Sequence, residues 1–272
     1  MLKQRIITAV ILAPLVLAGV IWLEPGTFAF FALLVILLGA WEWSDLTELS
    51  LPARVCYLAV IALLCGALLW FHDFSRIWLL YLAIPLWLGL FWCVIGYPAT
   101  QKYWTARWRR GLLGAAILIS AWVSLVQLKQ LRSDGALIIL LMLIIWSADI
   151  GAYFTGKAWG RVKLAPQVSP GKTWEGVLGG MLAALLVCWL AATQIDLLHP
   201  RVFSDWLWMA LLALISAAVS VLGDLVESMI KRLRGVKDSG RLLPGHGGVL
   251  DRIDSLVAGL PFYTLLIMQI RA

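Results

Sequence analysis

Charged side chains are scarce in this sequence. Asp, Glu, Lys and Arg supply only 14% of its 272 residues, where soluble domains carry about 25%. With a mean hydropathy of +0.91, a water-soluble globular body is excluded. Histidine is scarcer still: His72, His199 and His246 stand apart, and the absence of an H-E-x-x-H pair argues against a zincin-type metalloprotease. Cys56, Cys65, Cys93 and Cys188 fall in or beside apolar runs with no C-x-x-C. They imply neither a disulfide framework nor a thiolate metal site, and read as small core residues. Regular alternation of apolar and polar residues is missing too, which argues against a transmembrane barrel.

What is present is a series of continuous apolar runs. Nine windows, at roughly 6–23, 27–43, 56–71, 77–97, 111–128, 135–154, 174–194, 205–227 and 256–270, predict helices that satisfy their own backbone hydrogen bonds in lipid. Lys3 and Arg5 precede the first run, which is too long for a signal-peptide core and lacks an A-x-A-like cleavage site. It reads as a retained span whose 18 residues cover about 27 Å at ~1.5 Å each. Sixteen Trp suit membrane interfaces. The expected fold is an all-α polytopic membrane protein of about nine helices, one integral domain over 1–272. Residues 1–110 form its motif-poor N-terminal helices, and 111–272 its catalytic helices and loops.

Nine spans place alternate connections on opposite sides. Of the 22 basic residues, 17 then fall on the side of the N-terminus and 5 on the other. By the positive-inside rule the N-terminus and the two polar connections, Lys157 to Thr173 and Lys231 to Ser255, face the cytoplasm, and the C-terminus lies opposite. Nucleotides are in that compartment. Arg107, Arg109 and Arg110 need no further role, since topology and anionic headgroups account for them.

Topology does not account for the acids. In GDLVESMIKR, Asp224, Glu227, Ser228 and Lys231 occupy relative positions 0, 3, 4 and 7, so one helix face carries all four. A carboxylate at the bilayer centre costs roughly 2.5–3.5 kcal/mol even on insertion scales. A Glu227–Lys231 pair would explain Glu227 and leave Asp224 unexplained. Asp149, near the end of the sixth span, is either a second such group or a hydrogen-bonded packing acid. Asp251 and Asp254, three apart, lead into the ninth span, where both can bind a hard divalent cation with Asp224 or one can cap the helix. VSPGKTWEG resembles the end of a phosphate-binding P-loop, but Pro166 stands where that motif needs Gly. What remains is a loop with Lys172 and hydroxyls entering a helix N-terminus, a weak phosphate signal. Between Lys231 and Arg252 lie six cations and the glycines Gly245, Gly247 and Gly248, suited to anionic oxygens. Acids for Mg²⁺ and cations for phosphates, beside lipid, point to phosphoryl or nucleotidyl transfer on a membrane-resident substrate.

The run S-M-I-K-R-x4-K-D-x-G-x2-L-P-x-H-G-G-x-L-D-R-I-D, Ser228 to Asp254, resembles the signature of the phosphatidate cytidylyltransferases, the CDP-diacylglycerol synthases. SPGKTWEG at 169–176 and GDLVES at 223–228 resemble other shared segments of that family in the expected order, and EWSDL at 42–46 resembles it more weakly. The resemblance implies transfer of CMP from CTP to phosphatidic acid, giving CDP-diacylglycerol and pyrophosphate for phospholipid synthesis. It further implies an inner-membrane, multi-pass enzyme working among membrane lipids, with no nucleic-acid partner; the apolar outer faces are compatible with a homodimer. By the same resemblance Asp224, Asp251 and Asp254 hold Mg²⁺, with room for a second cation. Asp224, Asp251, Lys231 and Lys237 are catalytic. Ser169, Lys172, Thr173, Ser228, Arg232, Asp238, His246 and Arg252 bind substrate. His246 is not assigned as a base, because a phosphate nucleophile is already largely ionised near neutral pH.

Two rivals are disfavoured. A secondary transporter shows broken helices in both halves, whereas the Gly- and charge-rich connections here lie beyond residue 98. The D-G-x2-A-R pattern of CDP-alcohol phosphotransferases is absent. The span count predicts that a reporter fused after Arg271 is found outside the cytoplasm; a cytoplasmic signal would require an even number of spans.

Overall fold

A computed structural model describes residues 2–70, 73–195 and 202–270. His72, His199, Arg201 and Arg271, and the side chains of Lys3 and Arg5, lie outside the described residues. The elements run α1 (Leu2–Trp22), α2 (Pro25–Leu46), α3 (Leu51–Leu68), α4 (Asp73–Ile95), the single turn α5 (Gln101–Trp104), α6 (Arg107–Leu131) and α7 (Ala136–Trp159). Strands β1 (Lys163–Ala165) and β2 (Ser169–Thr173) follow, then α8 (Trp174–Ala192), α9 (Phe203–Arg234) and α10 (Leu250–Ile270).

Eight of these helices are long and apolar enough to cross a bilayer, and Ile6–Trp22 of α1 is a shorter ninth among the described residues. Each expected window therefore falls on one helix. Proline and glycine set several boundaries. Pro25 opens α2 in its first turn, where the missing N–H costs nothing, and Gly235 ends α9 in the left-handed region at φ 71°.

Three expectations change. α9 continues two turns past residue 227, because nothing before Gly235 stops it and Lys231, Arg232 and Arg234 in its last turn favour the negative end of the helix dipole. At ~1.5 Å per residue, its 32 residues extend about 48 Å, well beyond the hydrocarbon. α10 begins at Leu250 rather than 256, so Asp251 and Asp254 lie within its first turns instead of in a connection. The SPGKT segment is strand β2 and not a loop, paired antiparallel with β1 through Lys163↔Thr173 and Ala165↔Ser169.

The core sits between α6, α7, α9 and α10, where Leu118, Leu141, Leu212, Ala258 and Tyr263 are fully buried. Phe30, Leu34, Leu63, Leu82, Leu182 and Leu186 point outward, as lipid-facing side chains do. Two of the buried aromatic polar groups are tied to backbone: Trp122 Nε1 donates to the Ala29 carbonyl at 3.0 Å and Tyr263 Oη to that of Leu137 at 2.9 Å. At the end of the bundle where α1 finishes, the wholly buried Lys129 donates to the Val20 carbonyl. It takes up one of the carbonyls that a helix C-terminus leaves unsatisfied.

The opposite end collects the polar connections. Thr8 Oγ1 donates to the Pro244 carbonyl at 2.9 Å, and Arg232 Nε lies 3.4 Å from the Val168 carbonyl. Arg110, Arg107 and Arg234 surround Glu48 at 3.1, 4.0 and 3.6 Å, and the Arg110 hydrogen bond holds the Glu48 carboxyl below its usual range. The connections after α2, α4, α7 and α9 thus share one end, as an alternating path requires.

α9 and α10 come into close contact at Gly223. A Cβ there would lie 2.6 Å from Ala258 Cβ and 2.5 Å from the Asp254 carbonyl oxygen, which real side chains do not tolerate. Gly223→Val is expected to destabilise the fold by ~2 kcal/mol, the usual cost of overpacking, read as a lower thermal midpoint in detergent. An unchanged midpoint would show that the two helices can separate freely.

Candidate active site

The acids of α9 sit as the periodicity predicts. Ser228 Oγ donates to Asp224 Oδ1 at 3.1 Å, and Lys231 Nζ donates to Glu227 Oε2 at 2.7 Å, each contact one helical turn along the same face. Tertiary structure adds the rest. The early start of α10 sets Asp251 opposite, where its Oδ1 accepts a second hydrogen bond from Lys231 at 2.6 Å. Asp251 Oδ2 accepts from the backbone N–H of Ser239 at 2.9 Å and of Gly248 at 2.8 Å. One turn further, Asp254 faces both Asp224 and Glu227 across the Gly223 contact. From the other flank β2 delivers Lys172, whose Nζ lies 2.7 Å from Asp224 Oδ2, and Asp149 of α7 stands within electrostatic reach of both.

The result is a charged seam across three helices and a strand: Asp149, Lys172, Asp224, Asp254, Glu227, Lys231 and Asp251. Five carboxylates face two ammonium groups, an excess of negative charge that a low-dielectric site does not leave uncompensated. The side chains of Glu227, Lys231 and Asp251 are only 3%, 11% and 7% exposed. Glu227 Oε1 is buried with no N–H or hydroxyl donor on it among the described residues, and its carboxyl group lies beside that of Asp254.

The five carboxylates fit a hard divalent cation in kind, since they offer oxygen donors with no thiolate or imidazole among them. Among the described residues no three such side chains already form a metal shell. Mg²⁺ does not need one, because it keeps several waters and takes one or two protein carboxylates beside substrate phosphates.

The remaining sequence-derived candidates are placed unevenly. Thr173 is buried, and its Oγ1 accepts from the Gly176 N–H at 3.2 Å, which makes it the N-cap of α8. Ser169 opens β2 and is half-buried; Arg232, Lys237, Asp238 and Arg252 are exposed around the rim. His246 is half-buried, with its backbone N–H on the Leu243 carbonyl at 2.9 Å and its ring Nδ1 without a partner among the described residues.

Sequence reasoning missed Glu42 and Ser239. Glu42, at the end of α2, is 2% exposed; it accepts hydrogen bonds from Ser239 Oγ at 3.1 Å and from the N–H groups of Val249 and Leu250 at 3.0 and 2.8 Å. The available signal was an acid closing an apolar run in EWSDL.

Comparison with known proteins agrees in one direction. A model of the family described as the cytidylyltransferase family matches residues 3–270. A phosphatidate cytidylyltransferase of Pseudomonas aeruginosa is 48% identical over 272 residues, covering 98% of this chain and 97% of that protein. Proteins of the same name from Haemophilus influenzae and Staphylococcus epidermidis are 38% and 34% identical, over 97% and 98% of this chain and 98% and 100% of theirs.

Lys231→Met strands two buried carboxylates, whereas Lys172→Met strands a more exposed one. The first is expected to destabilise by ~3 kcal/mol, the usual cost of breaking a buried pair, and to lower the thermal midpoint further than the second. Equal midpoints would remove Lys231 from its bridging position.

Proposed function

The chain belongs to the cytidylyltransferase family, and from that premise we infer that it is a phosphatidate cytidylyltransferase whose chemistry runs on the charged seam of α9, α10 and β2. CTP and phosphatidate react to give CDP-diacylglycerol and pyrophosphate. A phosphate oxygen of phosphatidate attacks the α-phosphorus of CTP, forming one P–O bond. The bond from the α-phosphorus to the bridging oxygen breaks, and pyrophosphate leaves with the electron pair. The nucleophile is a phosphate monoester with a second pKa of about 6, so no side chain has to remove its proton.

Charge is the larger difficulty, since both reactants are anions. The observation that carries the reading is Lys231 held between Glu227 and Asp251, beside Lys172 on Asp224. These are cations fixed in place by acids at the end of the bundle where the polar connections gather. An ammonium has three donors, so each lysine can keep a carboxylate and turn another donor to a phosphate oxygen. Lys172 is assigned to the nucleotide phosphates and Lys231 to the oxygens around the reacting phosphorus. Ser169 and Ser228 supply hydroxyls beside them, and Thr173 acts through the helix it caps. Arg232, Lys237 and Arg252 at the exposed rim raise the local concentration of anionic substrate, while Asp238 and His246 shape the loop around the base or sugar.

Asp224, Asp251 and Asp254 are the residues that would hold Mg²⁺, with Glu227 offering the oxygen that Lys231 does not occupy. When bound, the ion offsets charge on the triphosphate. Positive-inside bias supports a cytoplasmic position for this end, on the side of the CTP supply, and the body is assigned to the inner membrane. Phosphatidate then reaches the seam laterally with its acyl chains still in lipid.

Purified protein is expected to release pyrophosphate only when CTP, Mg²⁺ and phosphatidate are all present. Asp224→Asn and Asp251→Asn should each lower turnover by at least roughly 100-fold while leaving the protein folded. Near-normal rates in either variant would remove that residue from the site. Lys172→Ala should raise the KM for CTP by about tenfold; an unchanged KM with lower stability would make Lys172 a structural residue.

A further inference from the structure

Glu42 lies far from the signature in sequence, yet its carboxylate touches it at three places. Its acceptance of the Val249 and Leu250 N–H groups does for α10 what an N-cap side chain does for most helices, satisfying donors that the first turn leaves free. Gly248, just before these residues, has no side chain to do this. Ser239 joins the two carboxylates directly, with Oγ on Glu42 Oε2 and backbone N–H on Asp251 Oδ2. Gly248 completes the junction by donating its N–H to Asp251 Oδ2. Four consecutive or bridged backbone groups, at 239, 248, 249 and 250, are thus divided between Glu42 and Asp251.

The glycines of the loop fit this arrangement. A Cβ at Gly240 would lie 2.7 Å from Glu42 Cδ, and one at Gly248 would lie 2.7 Å from the same atom and collide with Ser239 Oγ. A side chain at either of these loop positions would therefore have to push the Glu42 carboxylate or the Ser239 hydroxyl away from its hydrogen bonds. Apolar packing alone would not require this. A buried carboxylate whose hydrogen bonds come from N–H and hydroxyl donors also resists replacement by an amide, whose NH₂ would face donors instead of acceptors.

We propose that Glu42 is a positioning residue for the transfer reaction: from α2 it fixes Ser239 and the first turn of α10, and so sets where Asp251 meets Lys231. This rests on the seam being the reaction site, as inferred above. The device links the N-terminal helices to the site through the Glu42 carboxylate, in addition to the contact of Thr8 with the Pro244 carbonyl. Outer partners of this type typically change activity by 10- to 100-fold, roughly, when removed.

The test uses the full-length protein in phosphatidate-containing micelles, with Glu42→Gln, Glu42→Asp, Ser239→Ala and the double variant Glu42→Gln/Ser239→Ala. Glu42→Gln is expected to lower kcat by about 10- to 100-fold with the KM for CTP within about threefold. Glu42→Asp should recover part of that loss, and the double variant should be no slower than Glu42→Gln alone. Amide exchange at Val249 and Leu250 should accelerate in Glu42→Gln. A folded Glu42→Gln with kcat within about twofold of wild type, or with unchanged exchange at these amides, overturns the proposal. If Glu42→Gln does not fold, Ser239→Ala decides: a kcat loss of about fivefold or more supports the junction, and an unaltered kcat overturns it. Wild-type protein without turnover would defeat the functional reading instead, and the exchange measurement would still judge the position of Glu42.

Discussion

Carboxylates within membrane helices must find partners, and most of this structure's distinctive geometry follows from that requirement. An unpaired ionised group in a low-dielectric interior costs several kcal/mol. Here Lys231 answers Glu227 and Asp251 and Lys172 answers Asp224. For Lys231 to reach both acids, α9 must run on beyond the hydrocarbon and α10 must start early. For Asp254 to face Asp224, the two helices must close to contact at Gly223. The small hairpin β1–β2 has the same explanation, because it carries Lys172 across the end of α8 toward α9.

This pairing also suits the reaction. Transfer between two phosphate-bearing substrates is limited by charge more than by proton movement, and the protein's part is to hold cations at fixed points. Lysines already anchored by acids have little freedom to lose when phosphates arrive, so less of the binding energy is used in ordering them. The seam lies at the end of the bundle where the polar connections gather, with lipid-facing leucines a few turns away on α8. A headgroup can enter it while the acyl chains remain in the bilayer.

The N-terminal helices are not passive packing. Trp43 Nε1 of α2 donates to the Arg110 carbonyl at 2.9 Å, and the Arg110 guanidinium returns a bond to Leu46 at 3.0 Å, so α2 is locked onto α6 one residue away from Glu42. That rigidity is what lets Glu42 act on the loop. A boundary near residue 110 separates motif-poor from motif-rich sequence, but the α2 carboxylate lies on the far side of it and in contact with the loop.

The number of spans, their order and the alternating path came from hydropathy and the distribution of lysine and arginine, because the bilayer imposes length and polarity on each segment separately. Helical periodicity placed Asp224, Glu227, Ser228 and Lys231 on one face, since those contacts are local. The partners of that face were decided only in three dimensions. That Lys231 reaches Asp251 and that Asp149 lies near Lys172 depended on how separate elements cross. Glu42 is the clearest case: 207 and 208 residues separate it from the amides it holds, and no local period connects them. A membrane fixes what each segment must be, while the pairing of buried charges fixes where the segments meet.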